Sequence, residues 1–205
     1  MKDFRAIVEA YRKVDFRQRK AALATVIKVH GSSYRSPGAR MLITDDGHWV
    51  GSISGGCLEG DALRKARVVM TENLAMTVTY DTREESNQNL GIGLGCNGVI
   101  DVLIEPVIPG AANNPVTLFE GFLKTEQPLA LGTVFSPHAM AGKKLLIDRA
   151  GKKQHDAFPD LPSELSDDLA CIFETRKSET RVYSTPEGEL HIFLELVQPM
   201  IKLIL

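Results

Sequence analysis

Two cysteines of this chain sit among glycines. They lie in Gly51-Ser-Ile-Ser-Gly-Gly-Cys-Leu-Glu-Gly60 and in Gly91-Ile-Gly-Leu-Gly-Cys-Asn-Gly98. Around Cys57, Gly55 and Gly56 leave the backbone free to take positive φ and to approach a ligand closely. Leu58, Ala62, Ala66 and Val69 then recur at helical spacing, so a helix is predicted to begin at or just past Cys57. The first amides of such a helix have no partner within it; they favour an anion and stabilise a thiolate placed among them. This chemistry is an anion cradle that carries a nucleophilic or ligating sulfur. Glu59 falls in the first helical turn, where the dipole favours a carboxylate. It can cap the helix or accept a hydrogen bond from a ring nitrogen of a ligand. The same residues also fit a tight turn followed by a small buried cysteine that packs as a hydrophobe.

Cys96 repeats the pattern, with Gly95 before it and the apolar run Val99 to Val107 after it. The two cysteines are too far apart in the chain for a CxxC loop, so neither a zinc knuckle nor a thioredoxin-type site is indicated. If they meet, the fold brings them together. We expect Cys57 and Cys96 to face one glycine-walled cavity at a sheet edge, by analogy with the ligand sites of open α/β sheets. Between the first strand and this region lies Gly31-Ser-Ser-Tyr-Arg-Ser-Pro-Gly38, with Arg35 inside it and Arg40 just beyond. Either guanidinium could hold a phosphate by paired hydrogen bonds, or pair with Asp45, Asp46 or Glu59 at the surface.

The elements that must position these residues are mixed. Phe4, Ile7, Val8 and Tyr11 form the apolar stripe of an N-terminal helix. Ala21 to His30 is predicted as a buried strand, and Met41 to Ile53 as two strands joined at Asp46-Gly47. A strand over Ala75 to Tyr80 and a polar loop over Asp81 to Leu90, which could act as a lid, lead to a central strand over Val99 to Glu105. Past Pro106, helices are predicted over Val116 to Leu123 and Leu161 to Phe173, the second one capped. Strands are predicted over Leu129 to Phe135, Lys144 to Ile147, Arg181 to Tyr183 and Leu190 to Leu196, with a turn at Pro186-Glu-Gly188. The fold class is therefore α/β, a mixed α+β sheet domain with flanking helices. No long internal repeat is evident on this reading.

Composition narrows the function. The 205 residues are 43% hydrophobic with a net charge of −2, enough for a real core and without the field that binds polyanions. Nucleic acid is not expected as a partner. No apolar stretch has transmembrane length and no signal peptide opens the chain, so a cytoplasmic protein is expected. Three cysteines, Cys57, Cys96 and Cys171, make no disulfide framework. Cys171 falls on the apolar side of its predicted helix and reads as core. The histidines His30, His48, His138, His155 and His191 show no metal-ligand spacing, and no metal site is expected.

Four stretches, in this order, resemble the XdhC/CoxI family: Gly31-Ser-Ser-Tyr-Arg-Ser-Pro-Gly-Ala-Arg-Met41, Gly51-Ser-Ile-Ser-Gly-Gly-Cys-Leu-Glu59, Leu94-Gly-Cys96 and Val99-Ile-Asp-Val-Leu-Ile-Glu-Pro106. Asn97 departs from the pattern, which usually has glycine after the second cysteine. The family comprises maturation factors for molybdenum hydroxylases such as xanthine dehydrogenase. The resemblance implies a cofactor carrier, not an enzyme, that binds the molybdenum cofactor (molybdopterin) as cargo, shields it while its terminal sulfur is installed, and passes it to the hydroxylase. It implies a cysteine desulfurase as sulfur donor, and roles for Cys57, Cys96, Gly55, Gly56, Glu59, Gly95, Arg35 and Arg40 around the cofactor. Soft thiolates suit a metal dithiolene, and glycine amides with arginine suit a pterin's phosphate.

It also implies a division into a glycine-cysteine domain over 1–107, a mixed α/β continuation over 108–200, and, at 201–205, the truncated start of a nucleotide-binding domain present in longer members. The apolar end Ile201 to Leu205 would then fray or pair with another chain, which admits a homo-oligomer. The other reading is a thiol enzyme with Cys57 as nucleophile, or with Cys57 and Cys96 as a redox pair. No histidine stands near either cysteine in sequence to serve as its base.

Overall fold

A computed structural model of the chain describes residues 2–83, 97–124, 127–157 and 162–198. Helix α1 (Lys2–Tyr11) is followed by β1 (Ala21–Ser32), β2 (Arg40–Thr44), β3 (Trp49–Gly51), α2 (Glu59–Glu72), β4 (Met76–Asp81) and β5 (Asn97–Val107). Then come α3 (Pro115–Phe122), β6 (Leu129–Ser136), β7 (Lys144–Ile147), β8 (Lys153–Asp156), α4 (Ser163–Thr175), β9 (Glu179–Thr185) and β10 (Gly188–Val197). The mixed α/β class holds, as does each expected strand; β8 was not foreseen. Every pairing is antiparallel. The analogy to an open α/β sheet therefore fails, and the loop positions follow from antiparallel register instead.

The sheets are ordered β3-β2-β1-β5-β4 and β8-β7-β6-β10-β9. Alternation along the strands gives each sheet two apolar faces, and each face is covered. Ala22, Ala24, Val26, Ile100, Val102 and Ile104 pack under Leu58, at the N-cap of α2, and under Ala62, Ala66 and Val69 within it. The opposite face, through Leu23, Leu42 and Val107, meets Leu131, Leu146 and Val197 of the second sheet, with α1 and α3 completing that layer. The second sheet's outer face packs on Leu165, Leu169, Ile172 and Phe173 of α4. The layers run α2, sheet, sheet, α4.

The two sheets have one topology, which corrects the expectation of no internal repeat. Three strands, a helix and two strands occur twice, in the same spatial order. The residues match too: Leu23-Ala-Thr-Val26 with Leu131-Gly-Thr-Val134, Gly38, Arg40 and Gly47 with Gly142, Lys144 and Gly151, Tyr80 with Tyr183, Glu105 with Glu195. Buried charges make the correspondence physical. Arg40 donates to Gly38 O (2.7 Å) and pairs with Glu195 of the opposite sheet. Lys144 donates to Gly142 O (2.9 Å) and pairs with Glu105. A Cβ on Gly38 would lie 3.2 Å from the Glu195 carboxylate, and one on Gly142 3.1 Å from that of Glu105. Extra residues in β1 and between β4 and β5 shift the spacing, which hides the repeat in the sequence.

Helix α4 corrects two smaller expectations. It starts behind Pro162 without a side-chain cap. Cys171 is exposed, because it lies on the side of the helix opposite the stripe of Leu165, Leu169 and Ile172.

The β9–β10 hairpin turns through Pro186 and Glu187, closed by Thr185 Oγ1 donating to Gly188 O (2.7 Å). In the first repeat Thr82 Oγ1 donates to Gly98 O (2.8 Å), yet residues 83–97 lie between. The closing pair is kept and the segment is added to it. Replacing residues 83–97 with Pro-Glu should leave a folded protein whose melting temperature is within about 5 °C of the parent, since loop length weighs little on stability. Insoluble or unfolded protein on circular dichroism would show that the segment belongs to the core.

Candidate functional site

Register brings the connections of interest to one end of the first sheet. Ser32, the last residue of β1, pairs with Asn97, the first of β5, while Gly51 at the end of β3 pairs with Met41 near the start of β2. The loop before Arg40, the loop after Gly51 and the entry to β5 thus share that end. Gly51 is obligatory: its φ is +91°, and a Cβ there would lie 2.2 Å from Arg40 O. That same oxygen accepts from Ser52 N at 3.0 Å, which fastens the start of the cysteine loop to β2.

The loop itself is built around Glu59, 4% exposed. Its Oε1 accepts from Ser52 Oγ (2.8 Å), Ser54 N (3.0 Å) and Ile53 N (3.3 Å). Its Oε2 accepts from Ser54 Oγ and from Leu58 N (3.2 Å). Ser54 Oγ in turn accepts from Gly56 N (3.2 Å) and Leu58 N (3.0 Å). The anion that these amides cradle is therefore the protein's own carboxylate. Glu59 has no oxygen left over for a ligand ring, and its place is beneath the site. Burial pushes its carboxyl up, but the hydrogen bonds from Ser54 and Ser52 together outweigh burial and hold it below the ordinary value of 4.5.

What the loop presents is its outer side. Gly55 and Gly56 are exposed, and Cys57 is half-buried against the α2 core. Gly56 has φ +114°, and a Cβ on it would meet no described atom within 4 Å, so this side is open. The loop before Arg40 lies alongside: Tyr34 rests on Gly55. Arg35 is half-buried in that loop, its amide donating to Ser33 Oγ (3.3 Å). Arg40 is elsewhere. Only 3% exposed, it faces the second sheet with its guanidinium on Glu195 and its Cζ 4.9 and 4.6 Å from the Phe4 and Phe119 ring centres. None of the surface partners foreseen for it, Asp45, Asp46 or Glu59, is used. Gly95, Cys96 and most of the polar loop after Asp81 lie outside the described residues, as does 201–205. Ser52, Ser54 and Tyr34 were missed by sequence reasoning. Two serines shortly before a carboxylate at a helix start were the available signal for the first two.

With this geometry in view, comparison with known proteins is informative. Residues 17–81, which span β1 to β4 and the whole Glu59 loop, match the model of the XdhC and CoxI family. Over these residues the chain resembles that family. It is similar to a probable xanthine dehydrogenase subunit of Bacillus subtilis, 39% identical over 90 residues, covering 44% of this chain and 27% of that one. It is also similar to the molybdenum cofactor insertion chaperone PaoD of Escherichia coli, 26% identical over 121 residues, covering 59% of this chain and 36% of that one. The crystal structure of a xanthine dehydrogenase from Bacillus halodurans superposes with a TM-score of 0.66 at 29% identity, over 95% of this chain and 53% of the other. The alignments thus span about a quarter to a third of the curated relatives' lengths. No helix among the described residues is long and apolar enough to cross a membrane.

A carboxylate stabilised by folding contributes stability above its ordinary pKa and loses it as pH falls through the lowered folded value. Glu59→Gln should therefore cost about 2–3 kcal/mol in urea unfolding at neutral pH, because several buried donors lose a charged acceptor. The gap to wild type should narrow once pH drops below 4.5. A gap that stays constant down to acid unfolding would contradict the role given to this carboxylate.

Proposed function

We infer that this chain is a maturation factor that binds the molybdenum cofactor as cargo and delivers it to a molybdenum hydroxylase of the xanthine dehydrogenase kind. The observation that carries the reading is the Cys57 loop. A rigid, internally satisfied turn offers one sulfur, and two exposed glycines that give a large ligand close access to the backbone. The match of residues 17–81 to the XdhC and CoxI family and similarity to a cofactor insertion chaperone support the same direction. In this reading Cys57 meets the soft metal dithiolene end of the cargo and Arg35 meets its phosphate. Cys96 joins from the segment just before β5. The terminal sulfur is installed while the cargo is held, with a cysteine desulfurase as donor, in the cytoplasm.

The loop also bears on the thiol-enzyme reading. A catalytic thiol needs a base, and the carboxylate of the Cys57 loop, Glu59, is committed to serine hydroxyls and backbone amides. That favours holding over turnover.

Protein purified from cells that make the cofactor should carry pterin, detected by fluorescence after oxidation. Cys57→Ala should lose nearly all of it and Cys96→Ala at least part, with both variants melting like wild type. Wild-type cofactor content in folded Cys57→Ala would overturn the assignment, and turnover of a thiol-directed substrate by the isolated chain would favour the enzyme.

A further inference from the structure

Tyr34 is a large aromatic residue left 61% exposed, directly beside the cysteine loop. Its neighbourhood is not loose. Gly38 N donates to Val26 O (2.8 Å), Val26 N to Ala39 O (2.9 Å) and Ala39 N to Ser36 O (3.1 Å), so the loop that carries it is tied back to β1. A Cβ built on Gly55 would lie 3.0, 3.2 and 3.5 Å from Cδ2, Cγ and Cε2 of Tyr34. Three adjacent ring atoms at such similar distances place Gly55 over the ring's face; an approach in the ring plane would leave the flanking atoms much farther than the nearest. Gly55 does not have positive φ, unlike Gly51 and Gly56. The close approach of the tyrosine ring is thus what a side chain at position 55 would disturb. One face of the ring lies on the backbone at Gly55, which is followed in the same loop by the exposed Gly56 and the half-buried Cys57, and most of the residue's surface stays open to solvent.

An aromatic side chain held on one face and wet on the other is a prepared stacking surface. We propose that Tyr34 stacks on the planar heterocycle of the ligand held at Cys57, which on the reading above is the pterin of the cargo. The sulfur and the ring then grip different parts of one molecule: Cys57 the metal end, Tyr34 the heterocycle. The phenol hydroxyl is not needed for this, whereas the ring is.

The experiment uses two probes, 6-hydroxymethylpterin, which has neither metal nor dithiolene, and the complete molybdenum cofactor, each titrated into the full chain. Tyr34→Ala and Tyr34→Leu should raise the Kd for 6-hydroxymethylpterin about ten-fold or more, while Tyr34→Phe stays within about two-fold. Melting temperatures should not change. Equal affinities for wild type and Tyr34→Ala, or no binding of either probe to wild type, would overturn the proposal. So would a Tyr34→Ala protein that binds both probes normally but no longer activates the apo-hydroxylase, since that assigns Tyr34 to a protein contact. The two readings fail separately: complete cofactor bound regardless of Tyr34 leaves the carrier standing without this stacking, and Tyr34-dependent pterin binding without retention of the complete cofactor does the reverse.

Discussion

The pairing of Arg40 with Glu195 is the contact through which the two sheets and the site are joined. Both groups are buried, and removing either partner alone from such a pair typically costs about 3–5 kcal/mol, because the other charge stays behind unpaired. Arg40 is also where two site loops meet. Its own position ends the Tyr34 loop, and its carbonyl receives Ser52 and passes close over Gly51. A carboxylate on the far sheet thus fixes, through one arginine, the origin of the loop that displays Cys57. Lys144 and Glu105 make the reciprocal contact across the same interface, so the register of one sheet on the other is set by charge as well as by shape.

From that anchor the site is built outward by satisfying its own polar groups. Glu59 neutralises the amides of a turn that would otherwise need an external anion, which makes the turn rigid in the absence of cargo. A preformed site of this kind spends little of its binding energy on ordering loops. The repeat clarifies which parts are architecture and which are additions. Positions shared by the two halves, such as Thr25 and Thr133 or Tyr80 and Tyr183, lie in the sheets. The extra length of β1, the Cys57 turn and the added residues before β5 are found at one end of the first half.

Much of this was legible in the sequence. Continuous apolar runs located the central strands, which are buried on both faces, the 3.6-residue period located the helices, which bury one, and Asp46-Gly47 named its hairpin, with Gly47 at φ +94°. The Cys57 turn was legible through its glycines. Sheet order was not, since antiparallel neighbours such as β1 and β5 pair across a long stretch of chain. The destination of Arg40 was hidden for the same reason: its partner Glu195 lies near the other end of the chain. Glu59 was placed correctly in the first helical turn, with capping and ligand contact both open, because nothing in a linear pattern tells whether a carboxylate points outward to a ligand or back into its own loop. The repeat was masked by added residues that change the spacing between matching strands.

The central claim is that the cargo covers Cys57, and the chain holds its own control in Cys171, exposed on the far side of α4. Alkylation of both thiols by iodoacetamide, followed by peptide mass spectrometry with and without saturating molybdenum cofactor, measures this directly. The account predicts that the cofactor slows labelling of Cys57 at least about ten-fold and leaves Cys171 unchanged, as expected when a thiol loses access. Equal labelling of Cys57 in the loaded and unloaded protein would contradict it.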